Sequence, residues 1–434
     1  MKTLTILFVC LIATAAEALK IEITKGDVRP DPIAITNFYS DDSEARGIGS
    51  DSAEVVGNDL VNSGLFELIP EGSFIQKEES VAKEGPRFAD WRLLGSRFLL
   101  TGKIKSEWGA KISIEFLLYD VIAGQKLIAL SLSSDKIKWR KIAHMIADAV
   151  YSRVTNETGY FNTHVVYAET VSKGKNSRKR IMRMDQDGEN LEALTDSSRL
   201  VLTPRYSPDG KKIAYLSFVN NSAHVYLLDL QTKKRETLGN LGEMNFAPRF
   251  SPDSKTVVMS IVKKGKSAIY KFDLETKKLT QLTEHRSIDT SPCFSPDGQY
   301  IVFTSDRDRE GGEQLYIMDT NGGSVRRISF DKGKYSQPVW SPRGDLIAFT
   351  KQLVGQGFYI GVISPQGTSE RLIAEGYLVE GADWAPNGRY LIYSKEHAAS
   401  GQSQIYKVDL TGRHTQQIKT KKDASDCTWS PLLK

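Results

Sequence analysis

Histidines, paired acids and activated serines are the side chains of this chain that could carry out chemistry, and their spacing supports no reaction. The six histidines are scattered, and none stands in the H-E-x-x-H pattern that places two imidazoles on one zinc ion. No G-x-S-x-G occurs, so the chain lacks the nucleophile elbow of a serine peptidase. We therefore expect no catalytic residue, no metal site and no cofactor.

The elements that would position any such residue repeat along the chain. An aromatic residue followed by Ser-Pro or Ala-Pro recurs six times, and successive prolines lie 44, 44, 46, 44 and 45 residues apart. The six aromatic residues are Tyr206, Phe250, Phe294, Trp340, Trp384 and Trp429. Proline suits the second position of a β-turn, and the Asp-Gly of most copies suits its exit. We expect the aromatic rings to fill the core between neighbouring repeats.

Each repeat also contains the patterns of four short strands. After the turn comes a β-branched strand such as Ile213-Ala214-Tyr215, then a third strand that usually ends in Asp, then a more polar fourth strand. Four strands in about 44 residues are typical of one blade of a β-propeller. The sequence therefore predicts an all-β propeller over residues 162–434.

The two ends of the repeat region complement one another. Residues 165–194 have the second, third and fourth strands of a repeat, whereas residues 427–431 have only a first strand. Pairing these two pieces makes one composite blade and removes two exposed sheet edges. The prediction is a six-bladed propeller closed by pairing of the N- and C-terminal strands of the repeat region.

A glycosidase would need two facing carboxylates in the central channel, about 5 to 9.5 Å apart. Asp383 falls on a predicted innermost strand. The equivalent positions of the other repeats hold Arg205, Arg249, Cys293, Val339 and Thr428. With two arginines and three neutral residues around one acid, the channel makes a weak case for catalysis.

Residues 19–158 lack the repeat and predict a small α/β domain. Strands are expected at residues 33–39, 65–69, 97–105, 111–120 and 126–133. Helices are expected over residues 53–61, ending at Gly64, and over Trp139 to Thr155, with a charged, glycine-rich loop near residues 70–96. We find no phosphate-binding loop or metal cluster in this part of the sequence.

The first 18 residues predict export. Lys2 precedes an apolar run from Leu4 to Ala13, and Ala16-Glu17-Ala18 is typical of a signal peptidase site. We expect a signal peptide over residues 1–18, a periplasmic mature protein and no direct membrane insertion. The net charge of +5, from 58 basic and 53 acidic residues, predicts no nucleic-acid partner.

Two cysteines remain after the expected cleavage, Cys293 and Cys427. They lie three repeats apart in a ring of six, so they would face each other across the channel. That separation is too large for a disulfide, and we expect two buried free thiols.

The whole arrangement resembles the TolB family, the soluble periplasmic components of the Tol–Pal envelope system. The most specific likeness is in the N-terminal part, at Asp31 to Ile35, Gly47-Ile48-Gly49 and Ser63 to Phe66. Some turns depart from the motif, since Ser254 replaces Gly, and Arg343 and Asn387 replace Asp. These changes affect single turns and leave the expected fold unchanged.

The resemblance implies two protein-binding surfaces. Members of the family bind the peptidoglycan-associated lipoprotein Pal at the propeller mouth, in the loops that lead into the first strands. Here that surface corresponds to Met244, Asn245, Thr290, Tyr335, Ser336, Gln337, Leu378, Glu380 and Asp423. The family contacts the inner-membrane protein TolA with the segment after the signal, which here contains Ile21, Glu22, Ile23 and Thr24. Its alternating pattern suits strand addition to a partner or docking on its own domain.

The sequence as a whole favours a monomeric, non-enzymatic adaptor that links Pal and TolA and so maintains envelope integrity. The alternative is a periplasmic propeller hydrolase that acts on envelope sugars or peptides. A row of acids around the channel would favour the hydrolase, whereas a mixed and mostly neutral mouth favours the adaptor.

Overall fold

The structure is a computed structural model that describes residues 29–433, apart from residues 175–176, 220–221, 240, 285 and 309–311. The expected signal peptide and the segment that holds Ile21, Glu22, Ile23 and Thr24 lie outside the described residues. The TolA contact of that segment therefore stays a prediction.

The N-terminal region is built on one mixed five-stranded sheet. Its strands are β1 (Asp31–Ile35), β2 (Phe66–Leu68), β3 (Phe98–Glu107), β4 (Lys111–Asp120) and β5 (Gln125–Asp135), in the order β2-β1-β3-β4-β5. β1 pairs in parallel with β2 and β3, and the long hairpins β3–β4 and β4–β5 are antiparallel.

Two long helices pack on one another and cover the core of this region. They are α1 (Ser43–Asn62) and α4 (Trp139–Thr155), and the bounds of α4 are those predicted. The Asp42 side chain caps α1 by accepting a hydrogen bond from the Glu44 amide at 3.1 Å. After α1, Gly64 adopts φ +70°, a conformation that glycine reaches without strain.

The expected charged loop contains two short helices instead, α2 (Glu78–Glu84) and α3 (Phe88–Leu93), after a 3₁₀ turn at Glu71–Ser73. A second 3₁₀ turn, Lys136–Lys138, leads into α4. The fully buried Trp91 of α3 packs edge-on against Phe74, with 5.0 Å between the ring centroids. Helices of seven and six residues are too short to show a helical period, so packing of Trp91 decides this local structure.

The described residues after α4 form six four-stranded antiparallel sheets, which we call blades 1 to 6. Blade 1 is β9 (Val201–Tyr206), β10 (Lys212–Val219), β11 (Ser222–Asp229) and β12 (Arg235–Thr237); blade 2 is β13 (Met244–Phe250), β14 (Thr256–Lys263), β15 (Lys266–Asp273) and β16 (Leu279–Gln281). Blade 3 is β17 (Asp289–Phe294), β18 (Tyr300–Ser305), β19 (Gln314–Asp319) and β20 (Arg326–Arg327); blade 4 is β21 (Lys334–Trp340), β22 (Ile347–Leu353), β23 (Gly357–Ile363) and β24 (Arg371–Gly376). Blade 5 is β25 (Leu378–Trp384), β26 (Tyr390–His397), β27 (Gln402–Asp409) and β28 (Thr415–Ile418); blade 6 is β29 (Ala424–Trp429), β6 (His164–Ser172), β7 (Arg178–Asp185) and β8 (Glu192–Ala193).

Blade 6 closes the ring as predicted. The C-terminal strand β29 pairs antiparallel with β6, with Ala424 opposite Glu169 and Trp429 opposite Val165. The Trp429 indole N–H donates to Thr163 Oγ1 at 2.8 Å, and its ring lies edge-on to Tyr160. An α/β region followed by a six-bladed propeller is therefore the confirmed fold.

The Ser-Pro turns hold neighbouring blades together at one end of the ring, which we call the turn end. In the first of them, Ser207 Oγ donates to Asp209 Oδ1 at 2.6 Å and accepts from the Lys212 amide at 2.9 Å. Gly210 of this turn adopts φ +70°, which glycine reaches without strain, and it lies close to Pro431 of the adjoining turn. The aromatic residues before the turns of blades 2 to 6 are buried in the core, as predicted. Tyr206, before the turn of blade 1, is partly buried.

Every first strand carries a bulge that the sequence did not reveal. The pairing of each first strand with its second strand shifts register next to a residue with positive φ. These residues are Thr203, Ala247, Ser291, Gln337, Gly381 and Asp426, with φ between 48° and 67°. Five of the six are not glycine, and each such residue costs on the order of 1 kcal/mol of backbone strain.

The turn end of the propeller is covered by the N-terminal region. Arg389, next to one turn, pairs with Glu157, and Asn387 Nδ2 donates to the Thr158 carbonyl at 3.3 Å. Tyr390 donates its hydroxyl hydrogen bond to the Ser63 carbonyl at the end of α1. These contacts all lie at the turn end of the channel.

A buried ionic cluster lies where α1 and α4 meet blade 6. His144 Nδ1 lies 2.6 Å from Asp59 Oδ2, while its Nε2 lies 3.7 Å from Asp185 and 3.8 Å from Asp187. Burial works against a charged imidazole, but these three carboxylates outweigh it and raise the pKa of His144 to about 10. The proton on His144 therefore links the N-terminal region to the propeller.

Replacing Trp429 by Ala should destabilise the closed ring more than replacing an exposed tryptophan. Trp429→Ala leaves a cavity at the closing blade and should lower the free energy of unfolding by about 3–5 kcal/mol. Trp108→Ala is the matched control, because Trp108 is 98% exposed and should change stability by less than about 0.5 kcal/mol. Urea titrations followed by circular dichroism give both values. Equal midpoints for the two variants would contradict the role of Trp429 in closure.

His144 should stay protonated across neutral pH, whereas burial and Arg183 lower the pKa of His164 to about 4 and keep that ring neutral. NMR of labelled histidine should show no titration of His144 between about pH 5 and 8. Since its folded pKa exceeds the unfolded value of about 6.5, the stability it contributes is complete below that pH. The contribution is then lost as the pH rises through 10. A His144 ring that titrates near pH 6.5 would refute the cluster.

Candidate functional site

The propeller mouth is the end of the channel formed by the loops that lead into the six first strands. It lies opposite the turn end, because each first strand runs from the mouth to its Ser-Pro turn. The nine residues that the sequence singled out for this surface all fall at the start of β13, β17, β21 and β25 or just before β29. Residues far apart along the chain thus converge around one opening.

The predicted mouth residues differ in how far a partner could reach them. Met244 is 45% exposed, and the side chains of six others are partly exposed. Those six are Thr290, Ser336, Gln337, Leu378, Glu380 and Asp423. These seven side chains come from blades 2 to 5 and from the loop into blade 6.

Asn245 and Tyr335 are fully buried and bonded within the propeller. Asn245 Nδ2 donates to the Ala223 carbonyl of the neighbouring blade at 3.4 Å. The Tyr335 hydroxyl donates to Glu370 Oε2 at 2.8 Å, and Lys351 pairs with the same carboxylate at 2.6 Å. This geometry favours a role in shaping the mouth over direct contact with a partner.

Exposed apolar side chains mark the mouth more clearly than the predicted residues do. Within the described part of the propeller, nine large hydrophobic side chains are exposed, and five lie on the mouth face. The five are Met244, Ile288, Phe330, Val354 and Tyr377. Ile288, Phe330 and Tyr377 stand in the loops into β17, β21 and β25 and are 53%, 67% and 63% exposed. Such a concentration of apolar surface is typical of a protein-binding site.

Sequence reasoning missed these three residues because the residues that it selected lie at the starts of the first strands or directly before them. A signal was present: each is a large apolar residue that lies 8 to 12 residues before the turn proline of its repeat. Only the structure shows that they are exposed.

A charged groove lies between blades 5 and 6 at the mouth. It has a volume of about 520 Å³ and includes Leu378, Glu380 and Asp423. Lys173 pairs with Asp423 at 2.5 Å, and burial together with nearby Asp426 raises the pKa of Glu380. The groove thus brings together three of the predicted residues.

Asp383 of the channel is held in a structural network. Its Oδ1 lies 3.1 Å from Arg249 Nη1, and its Oδ2 accepts hydrogen bonds from Thr428 Oγ1 at 2.5 Å and the Trp429 amide at 3.1 Å. These contacts tie blade 5 to blades 2 and 6 across the ring. A carboxylate held in this way is poorly placed to act as a general acid or base.

Below the mouth the channel contains a small cavity of about 170 Å³. Arg205 and Arg249 line it, together with five of the six bulge residues. Those five are Thr203, Ala247, Ser291, Gln337 and Gly381. Gln337 also bridges blades 4 and 5, because its Oε1 accepts from the Gly381 amide at 2.8 Å. Gln337 is therefore the one predicted mouth residue that also faces this cavity.

The buried cluster between the two regions is the one group of described residues with metal-ligand geometry. Asp59, His144 and Asp187 offer ligand atoms within 4.8 Å of one another. Asp187, however, already pairs with Arg140, and the protonated His144 donates to Asp59. We interpret the group as an ion-pair cluster. No local sequence pattern indicates this cluster, because its members come from α1, α4 and the turn after β7.

Cys293 on β17 and Cys427 on β29 are buried free thiols, as predicted. Among the described residues, no helix is long and apolar enough to cross a membrane.

Comparisons with known proteins agree with this architecture. The family model of the TolB amino-terminal domain matches residues 19–127, and that of the TolB beta propeller domain matches residues 151–433. The chain is 46% identical over 433 residues to the Tol-Pal system protein TolB of Paramagnetospirillum magneticum, covering 99% of this chain and 96% of the relative.

Solved structures are similar over all or part of the chain. TolB from Acinetobacter baumannii matches with a TM-score of 0.83 and 27% identity, over 93% of this chain and 97% of that protein. Hydrazine synthase from Kuenenia stuttgartiensis matches with a TM-score of 0.51 and 13% identity, over 62% of this chain and 46% of that one, which shows a shared fold alone. The two domain matches and the full-length relative together establish that this chain belongs to the TolB family.

Proposed function

We propose that this chain is a periplasmic, non-enzymatic adaptor of the Tol–Pal envelope system. Its propeller mouth binds the peptidoglycan-associated lipoprotein Pal, and the segment with Ile21, Glu22, Ile23 and Thr24 binds TolA. As a monomer it links outer-membrane Pal to the inner-membrane machinery. It thereby maintains envelope integrity and outer-membrane constriction during division.

The exposed apolar surface of the mouth is the observation that carries this proposal. Met244, Ile288, Phe330 and Tyr377 come from four consecutive blades and surround a concave opening that the described part of the N-terminal region does not cover. A protruding loop of a partner can bury these side chains together, which supplies the desolvated centre that protein interfaces need. The partly exposed polar residues Thr290, Ser336 and Glu380 suit the hydrogen-bonding rim of such an interface.

The side chains of the channel favour a binding function over hydrolysis of envelope sugars or peptides. The Asp383 carboxylate accepts hydrogen bonds from Arg249, Thr428 and the Trp429 amide. The described residues lining the cavity below the mouth include no acid that could act as its catalytic partner. Membership of the Tol–Pal system, which the full-length relative carries in its name, also fits an adaptor.

A charge placed on the apolar mouth should weaken Pal binding. Met244→Asp and Ile288→Asp should each weaken the affinity for soluble Pal by about tenfold to a hundredfold, because a carboxylate would be buried at the interface. Val325→Asp is the matched control, since Val325 is also exposed but precedes β20 on an outer edge. Calorimetric titration measures the three affinities. Unchanged affinity in both mouth variants would place the Pal site elsewhere.

Removal of residues 19–28 should separate the two proposed partners. The shortened mature chain should lose retention of TolA in a pull-down from envelope extract and should still retain Pal through the mouth. Mass spectrometry of the retained proteins gives the result. Retention of TolA by the shortened chain would contradict the assignment of that segment, and hydrolysis of envelope fragments by the purified protein would contradict a purely binding role.

A further inference from the structure

We propose that the cavity below the mouth is an anion site that binds one carboxylate or similar oxyanion. The group comes either from an acidic side chain of the docked partner or from a free anion in solution. The partner source rests on the proposed function, whereas the site itself does not.

Arg205 is the first observation that leads to this site. Its side chain is buried to 9% exposure in the channel, yet no carboxylate of the described residues lies within ion-pair distance. Its Nη1 donates to the carbonyls of Pro204 at 2.7 Å and Cys427 at 3.4 Å, and its Nε and Nη2 donate to no other described residue. Burial and nearby Arg249 lower the pKa of Arg205 to about 10, so it remains charged at neutral pH.

Asp383 and Asp426 attract the Arg205 guanidinium from a distance, but neither forms an ion pair with it. Asp383, the acid nearest in the network, is already paired with Arg249 and accepts two further hydrogen bonds. Asp426 lies on the side of the charged groove, where Lys179 is 3.9 Å away. A guanidinium buried without a partner is costly, and an oxyanion that accepts its free N–H groups removes that cost.

The lining of the cavity supplies the second observation. It contains Arg205 and Arg249, and none of the described residues that line it is acidic. Thr203 also lines the cavity, and its Oγ1 is buried without a hydrogen-bond partner. A volume of about 170 Å³ accommodates a carboxylate side chain or a small inorganic oxyanion. This set of donors would repel a cation.

The position of the cavity connects it with the mouth. Gln337 belongs to both, and Ser291 and Gly381 directly follow the mouth residues Thr290 and Glu380. A partner loop that covers the exposed apolar side chains of the mouth can therefore place an acidic side chain next to Arg205 and Arg249. Such a buried charge pair would select one partner over others that lack the acid.

Ala247 offers a direct test, because it lines the cavity and adopts φ 52°. Asp and Asn both tolerate this left-handed conformation, so Ala247→Asp and Ala247→Asn should fold equally well. Only Ala247→Asp fills the site with a carboxylate of the chain itself. In calorimetric titrations with inorganic sulfate at constant ionic strength, the parent protein and Ala247→Asn should bind one ion, and Ala247→Asp should bind none.

Soluble Pal then distinguishes the two sources. If a partner carboxylate enters the cavity, Ala247→Asp should bind Pal at least about tenfold more weakly than Ala247→Asn, and sulfate should compete with Pal. If the two variants bind Pal equally while the parent still binds sulfate, the site serves a free anion. Absence of Pal binding by the parent protein would refute the proposed function and leave the sulfate result to decide the site.

Arg205→Gln provides an independent second variant, with Arg326→Gln on the exposed strand β20 as its control. Arg205→Gln should lose sulfate binding, whereas Arg326→Gln should retain it. The proposal is overturned if the parent binds no sulfate and the Asp and Asn variants at position 247 bind Pal equally.

Discussion

Closure of the ring by β29 and β6 is the constraint on which the rest of the structure depends. A single strand from the C-terminus completes a blade whose other three strands begin the repeat region. Closure leaves no blade with an unpaired inner strand and fixes all six first strands around one channel. Residues almost 180 positions apart, from Met244 to Asp423, are thereby held at one opening. The same junction holds Trp429, Thr163 and Tyr160 together, so ring closure also fixes the chain that leads back to α4.

The two ends of the closed ring are used differently. At the turn end, Glu157, Thr158 and Ser63 of the N-terminal region bind the blade 5 turn and its following strand, and the ionic cluster around His144 binds blade 6. At the mouth no described part of the chain covers the exposed Met244, Ile288, Phe330 and Tyr377. This asymmetry directs a partner to the mouth. Five of the six bulge residues lie just below it, where they line the channel cavity in place of regular strand.

The fold could be predicted in detail because local sequence patterns that repeat along the chain determine it. The turn motifs at Tyr206 to Trp429 set the number of blades, the unmatched end strands predicted closure, and the apolar face of residues 139–155 gave α4 with its bounds. The short helices α2 and α3 escaped prediction because the burial of Trp91, a tertiary contact, determines them. The predicted mouth residues fell at the mouth, yet the sequence could not reveal that Asn245 and Tyr335 turn inward to Ala223 and Glu370. Two further features depend on residues from distant elements: the cluster of Asp59, His144 and Asp187, and the burial of Arg205 in the channel. No local sequence pattern could predict these contacts.

Hydrogen exchange of the protein with and without soluble Pal tests the central claim most directly, because it maps the covered surface without any substitution. If the partner docks on the mouth, exchange should slow in the segments around Met244, Ile288, Phe330 and Tyr377 and stay unchanged in the fourth strands at the outer edges of the blades. Slowed exchange confined to the outer strands or to the N-terminal region, with these four segments unchanged, would contradict the account.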